Sequence, residues 1–165
     1  MKVLGIDPGT ATVGFGVVER LATAGRPVRL LECGVFRTRA ADPLSRRLAS
    51  IHAGLLELLE RHRPDVLAVE DIFYATNVRT TVVLGHARGV ILLAGAQAGV
   101  AVAEYSPALV KKTVVGRGAA VKPQVGYMVA KILKLEAAPS PADAADAVAV
   151  ALTHLLLGFR PAGRR

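Results

Sequence analysis

A chain of 165 residues is enough for one ordinary domain, which buries about two-thirds of its unfolded surface without metal or disulfide staples. The lone cysteine, Cys33, excludes an internal disulfide, and Met1-Lys2 leads straight into an apolar strand. A secretory leader is therefore not expected, and a cytoplasmic location is. Gly89 to Val100 carries no charge but falls short of the roughly 20 residues a bilayer demands, and glycines and Gln97 interrupt it. It reads as a core helix, with no membrane partner.

The net charge of +8 is unevenly spread. Residues 1–70 carry ten Lys/Arg against eight Asp/Glu, residues 71–135 eight against two, and residues 136–165 three against three. A positive field concentrated in the middle of the chain favours a polyanion, with nucleic acid the leading candidate and a plain solubility charge the alternative. Aromatic residues make up only 4% and tryptophan is absent, which argues against a single-strand stacking platform and for contact with duplex backbone.

In chain order, Val3 to Asp7 reads as a short buried strand, followed by the turn Asp7-Pro8-Gly9-Thr10. Thr12 to Arg20 and Val28 to Thr38 read as two further strands of an antiparallel meander. Asp42-Pro43 opens a helix whose Leu44, Leu48, Ile51, Leu55, Leu58 and Leu59 recur at helical spacing, and Pro64 stops it. Asp65 to Glu70 is the fourth strand. A helix separates it from the third, so it is expected parallel to the first, delivering Asp7 and Glu70 to one edge of the sheet. A loop over 71–77, a long helix Val78 to Ala98 and a fifth strand Val100 to Tyr105 follow. Ser106-Pro107 caps and starts a short helix to Val115. Residues 116–122 form a basic connection, Pro123 to Leu135 a helix, and the last helix runs from Ser140-Pro141 to about Leu157. The expectation is a single domain over 1–158 with a basic, flexible tail over 159–165, built as an α/β fold.

Four carboxylates sit at the ends of these elements. Asp7 has a bland role open to it as a turn former, and Glu70 as the point where a strand meets water. Ser140-x-x-Asp143 matches a capping box, so Asp143 has a cap as its alternative, whereas Asp146, one turn further in, has none. Small neighbours, Ala142, Ala144, Ala145, Ala147 and Ala149, let this helix lie close to the sheet. Four converging carboxylates need cations, and all-oxygen ligation suits Mg2+ or Mn2+, two ions balancing four charges. Such a pair supports phosphodiester hydrolysis. The scattered His52, His62, His86 and His154 give no zinc pattern, and His154 is the one with a chance of lying near the site.

Gly5-Ile6-Asp7-Pro8-Gly9-Thr10 with Gly14-Phe15-Gly16-Val17-Val18, Val69-Glu70-Asp71-Ile72-Phe73, Gly85-His86-Ala87-Arg88-Gly89, the run from Val110 to Gly118, and Asp143-Ala144-Ala145-Asp146-Ala147-Val148-Ala149 together resemble the RuvC Holliday-junction resolvases. The match runs in order over nearly the whole chain. It implies an RNase H-like fold with a five-stranded mixed sheet flanked by helices, a homodimer, paired nicks in opposed strands of a four-way DNA junction, and the RuvA-RuvB branch-migration complex as partner. Asp7, Glu70, Asp143 and Asp146 fall on the family's metal-binding acidic positions. Phe73 matches an aromatic that stacks on a base at the opened junction, with Tyr74 beside it, and Lys111 and Lys122 match lysines near the scissile phosphate. Lys112 and Arg117 read as DNA-backbone contacts by charge and position, with a solvated surface as the alternative, and Asn77 and Arg79 at the end of the Phe73 loop are further candidates for touching DNA. Three rivals stand beside this reading: an RNase H-like nuclease acting on structured RNA, a junction-binding protein without catalysis, and one lobe of an ATP-binding kinase or chaperone. The helix from Val78, apolar around more than one face, is the expected dimer contact.

Overall fold

The computed structural model describes residues 1–22, 28–71 and 78–158. Three antiparallel strands, β1 (Lys2–Asp7), β2 (Thr12–Glu19) and β3 (Arg29–Arg37), precede α1 (Leu44–His62). Then come β4 (Val66–Glu70), α2 (Val78–Gln97), β5 (Ala101–Tyr105), α3 (Pro107–Val115), α4 (Lys122–Leu133) and α5 (Ala142–Leu157). The sheet order is β3-β2-β1-β4-β5, with β1, β4 and β5 parallel. The crossover through α1 enforces this, because a parallel neighbour can be reached only by carrying the chain back across a face.

Pleating sorts the side chains into two cores. Leu4 and Ile6 of β1, Leu67 and Val69 of β4, and Phe15 and Val17 of β2 face α1 and α2, where Ile51, Leu55, Leu58 and Ile91 close the layer. Val3, Val66 and Ala68 face the other way, against α3, α4 and α5. By the same alternation, Asp7 follows Val3 and Gly5, and Glu70 follows Val66 and Ala68, onto the α5 face. Ile6 is level with Val69, so the two acids emerge side by side at the ends of neighbouring strands.

Beneath the first half of α5 the sheet presents glycines in place of side chains. Gly5 pairs with Gly16, and Gly14 is level with Asp7. A Cβ at Gly5 would stand 2.7 Å from the Ala151 backbone nitrogen, one at Gly16 2.9 Å from the Val148 backbone, and one at Gly14 2.6 Å from the Asp143 carbonyl carbon. Helix and strands meet backbone to backbone, with alanines on one side and glycines on the other. Such contact is possible only where both partners omit side-chain bulk.

Element boundaries fall within about two residues of those expected from the sequence, and the differences have local causes. The fourth helix ends at Leu133 rather than Leu135 because Lys134 turns left-handed (φ 56°) and the Leu135 N–H returns to the Ala130 carbonyl. The last helix has Pro141 as N-cap and no side-chain cap bond, so the capping role open to Asp143 is not taken up.

Candidate metal centre and nucleic-acid interface

Asp7 comes from the end of β1 and Glu70 from the end of β4, while Asp143 and Asp146 come from the first turns of α5. Oxygens of Asp7, Asp143 and Asp146 all lie within 4.8 Å of one another. Glu70 stands outside that trio but hydrogen-bonds to Asp7 and lines the same cavity. The cavity, about 190 Å³, is walled by Asp7, Glu70, Asp146, Lys111, Lys122, Pro107, Val110 and Val125. Its apolar floor comes from α3 and α4, and its acids from the sheet and α5.

The charges in this cavity do not balance. Burial first, then the neighbouring carboxylates, raise Asp7 to about 6 and Glu70 to about 8, while Lys122 pulls both back. Of the two, Glu70 is raised further, and its hydrogen bond to Asp7 favours a proton on Glu70. Lys122 reaches in from the start of α4, its Nζ 2.8 Å from Asp146 and 3.6 Å from Asp143. Its hydrogen bond to Asp146 pushes the ammonium pKa up. Two ammonium groups on the wall, of which only Lys122 is paired with the acids, are too little positive charge for four carboxyl groups, and the donors are all hard oxygens. Their spread is close to the 4.2 Å that separates opposite ligands on an ion with 2.1 Å bonds, so the residues fit a divalent cation of the magnesium type.

The other residues singled out in the sequence divide. Lys111 lines the cavity. Lys112, at the end of α3, and Arg117, in the α3–α4 connection, are exposed and outside the cavity wall. Arg79 is exposed in the first turn of α2. Phe73, Tyr74 and Asn77 lie outside the described residues. His154 is buried on α5, its Nδ1 2.7 Å from the Tyr105 hydroxyl, and it takes no part in the cavity wall. The remaining histidines have local partners: His62 is paired with Glu32, His52 bonds to Gln97, and His86 bonds to its own helix.

Two features escaped the sequence reading. Arg88, from the middle of α2, forms ion pairs with Asp71 and with Glu104, and so ties that helix to the ends of β4 and β5 beside Glu70. The glycine floor under α5 was visible in principle, since Gly14 and Gly16 alternate along a strand as residues of one face must.

A family model described as "Crossover junction endodeoxyribonuclease RuvC" matches residues 3–154. The chain belongs to the RuvC family. Similar proteins carrying that same description include those of Moorella thermoacetica, 52% identical over 93% of this chain and 90% of the relative, and Pelotomaculum thermopropionicum, 49% identical over 93% and 92%. Among solved structures, Thermus thermophilus RuvC superposes with a TM-score of 0.87 at 41% identity, covering 96% of this chain and 95% of the other. T. thermophilus RuvC in complex with Holliday junction substrate gives 0.86 at 39% identity, with the same coverage. The yeast mitochondrial Holliday junction resolvase Ydc2, at 16% identity and TM-score 0.68, shares the fold. The RNase H-like arrangement expected from the sequence is the one this chain adopts.

Proposed function

We propose that this chain is a structure-specific endonuclease that resolves four-way DNA junctions in recombination and repair, cutting two opposed strands symmetrically and leaving 5′-phosphate and 3′-hydroxyl ends. The observation that carries the reading is the acid cluster itself: Asp7, Asp143 and Asp146 with oxygens within 4.8 Å of one another, Glu70 beside them, and two lysines on the same cavity wall. Asp7, Glu70, Asp143 and Asp146 would hold Mg2+ or Mn2+, two ions per subunit by charge balance. When bound, such ions activate a water on one side of a phosphodiester and stabilise the leaving oxygen on the other.

The chain's own side chains do the remaining work. Val110, Val125 and Pro107 keep one wall of the cavity dry, which strengthens the interactions within it. Lys111 and Lys122 present ammonium groups where negative charge builds on the phosphate. Phe73 and Tyr74 stack at the opened crossover, and Asn77, Arg79, Lys112 and Arg117 contact the DNA backbone. Residues 1–158 act as one nuclease unit, in the cytoplasm; among the described residues no helix is long and apolar enough to cross a membrane.

A homodimer supplies the two sites that paired cuts require, with α2 as its contact. Val82 and Leu93 on that helix are each 52% exposed, and Gly85 and Gly89 open onto free space. The RuvA-RuvB branch-migration complex is the partner that delivers the junction. Junction DNA is favoured over structured RNA as substrate, since a relative of the same fold at 39% identity was captured with a Holliday junction.

The test is cleavage of a synthetic four-way junction against linear duplex, with and without Mg2+ or Mn2+. Asp7→Asn is expected to bind the junction and not cut it. Undiminished cleavage by Asp7→Asn would remove the metal assignment.

A further inference from the structure

A second concentration of positive charge stands beside the acid cavity, on the flank away from the α3–α4 lysines. The end of β3, the connection after it and the start of α1 carry Arg37, Arg39, Arg46 and Arg47 against one acid, Asp42. Arg37, Arg39 and Arg46 are exposed; Arg47 is half-buried and donates from Nε to the Thr38 hydroxyl at 3.1 Å. Among the described residues, none of the four forms an ion pair with a carboxylate. At the opposite ends of the same two elements the pattern reverses, since Arg29 is paired with Glu19 and Arg61 with Glu32. Along β3 and α1, the cations at the far ends are paired with glutamates and those at the near ends are not.

The placement of Arg46 and Arg47 is unfavourable for the protein alone. They occupy the first turn of α1, which has no acidic residue there and no side-chain cap. The positive end of the helix dipole disfavours cations at that end. An arrangement that costs stability in the free protein makes sense if an anion meets it.

Geometry links this rim to the acids. Arg37 is level with Thr12 on β2, and Asp7 is level with Gly14. Two strand spacings of about 4.8 Å and two residue rises of about 3.4 Å put the Cα atoms of Asp7 and Arg37 about 12 Å apart. Thr38 donates its N–H to the Ala11 carbonyl and its hydroxyl to that of Thr10, so the connection is bonded to the turn that leaves Asp7. Phe36 stacks on Phe15 on the α1 side, so by alternation Arg37 points to the α5 side, where Asp143 lies. A distance of about 12 Å matches three to four base-pair rises of about 3.4 Å along a duplex axis.

We propose that Arg37, Arg39 and Arg46 form a phosphate-contacting rim for the duplex arm that leads into the cavity from the β3 side. The inference rests on the junction-nuclease reading and adds to it a second DNA face, contributed by the first third of the chain. The full-length triple variant Arg37→Gln/Arg39→Gln/Arg46→Gln is compared with wild type for binding a synthetic four-way junction without divalent metal, from 50 to 200 mM salt. Each lost phosphate contact removes about 0.9 from the slope of log affinity on log salt, a factor of about 3.5 over this range. Over that range the wild type is therefore expected to lose about 40-fold more affinity than the triple variant. Arg29→Gln/Arg61→Gln, at the far end, is expected to keep the wild-type slope.

An unchanged slope in the triple variant, or an equal fall in the far-end variant, overturns the rim. If the triple variant melts early, Arg39→Gln alone is read instead, with an expected slope change of about 0.9 and none overturning the proposal. Wild-type cleavage with Mg2+ is measured in parallel. No cleavage there sinks the nuclease reading, whereas a cleaving wild type with an unchanged variant slope sinks only the rim.

Discussion

Gly14→Ala tests whether backbone contact between α5 and the sheet sets the metal site. A Cβ at this position would collide with the Asp143 carbonyl oxygen and lie 2.6 Å from its carbon, where ordinary contact begins at 3.4 Å, so the start of α5 must retreat by more than the roughly 0.8 Å that the carbon alone requires. Overpacking of this kind costs about 1–3 kcal/mol of stability. The larger effect is on chemistry, because the retreat moves Asp143 and Asp146 away from Asp7 and Glu70, and a displacement near 1 Å costs about 100-fold in rate. Junction affinity, set by exposed cations, should stay within a few-fold of wild type. Gly34→Ala supplies the comparison: its Cβ would meet the Phe15 ring at 2.9 Å, on the side of the sheet away from α5. It should lose stability and keep its cleavage rate. The assay is single-turnover cleavage of a four-way junction at saturating metal, with melting temperatures measured alongside. Wild-type cleavage by Gly14→Ala, or an equal loss in Gly34→Ala, would refute the reasoning.

The acid cluster has a pH signature of defined sign. Asp7 at about 6 and Glu70 at about 8 remain protonated in the fold at pH values where the unfolded chain has already released those protons. Metal-free protein should therefore lose stability as pH rises from about 4 to about 8, and saturating Mg2+ should flatten the trend, as denaturant midpoints across that range will read. The midpoint for Mg2+ binding should fall over the same interval, because ligation displaces protons; a midpoint that rises would contradict the cluster. Lys122→Met separates two roles of one ammonium. Its Nζ now occupies an oxygen of Asp146, so its loss should leave metal binding equal or tighter in calorimetry, while the maximal cleavage rate falls by about 100-fold. Weaker metal binding with an unchanged rate would reverse the assignment.

Much of this site could be read from the chain because strand parity is a sequence property. Val3-x-Gly5-x-Asp7 and Val66-x-Ala68-x-Glu70 place both acids on one face once the strands are known to be parallel neighbours, and the intervening helix implies that they are. Asp143 was harder. A cap and a ligand look alike when Ser stands three residues before Asp, and the difference lies in where the helix starts, which the Pro141 N-cap decides. The Arg88 bridge to Asp71 and Glu104 was not legible, since it joins a helix to two strand ends and depends on packing across the sheet edge. His154, the histidine with a chance of lying near the site, is outside the cavity wall. Two turns carry it away from the cavity to the Tyr105 hydroxyl.

The glycine floor has a mechanical meaning as well. Most cores place a layer of side chains between helix and sheet, and those side chains absorb small movements by changing rotamer. Here that layer is missing under half of α5, so movements of β1 and β2 pass to Asp143 and Asp146 without damping. The irregularity in the β2–β3 pairing at Val17/Val18, well down the strand from the acids, therefore belongs to the same rigid frame as the carboxylate cluster. Heat or substitutions that alter sheet twist should register in cleavage before they register in unfolding.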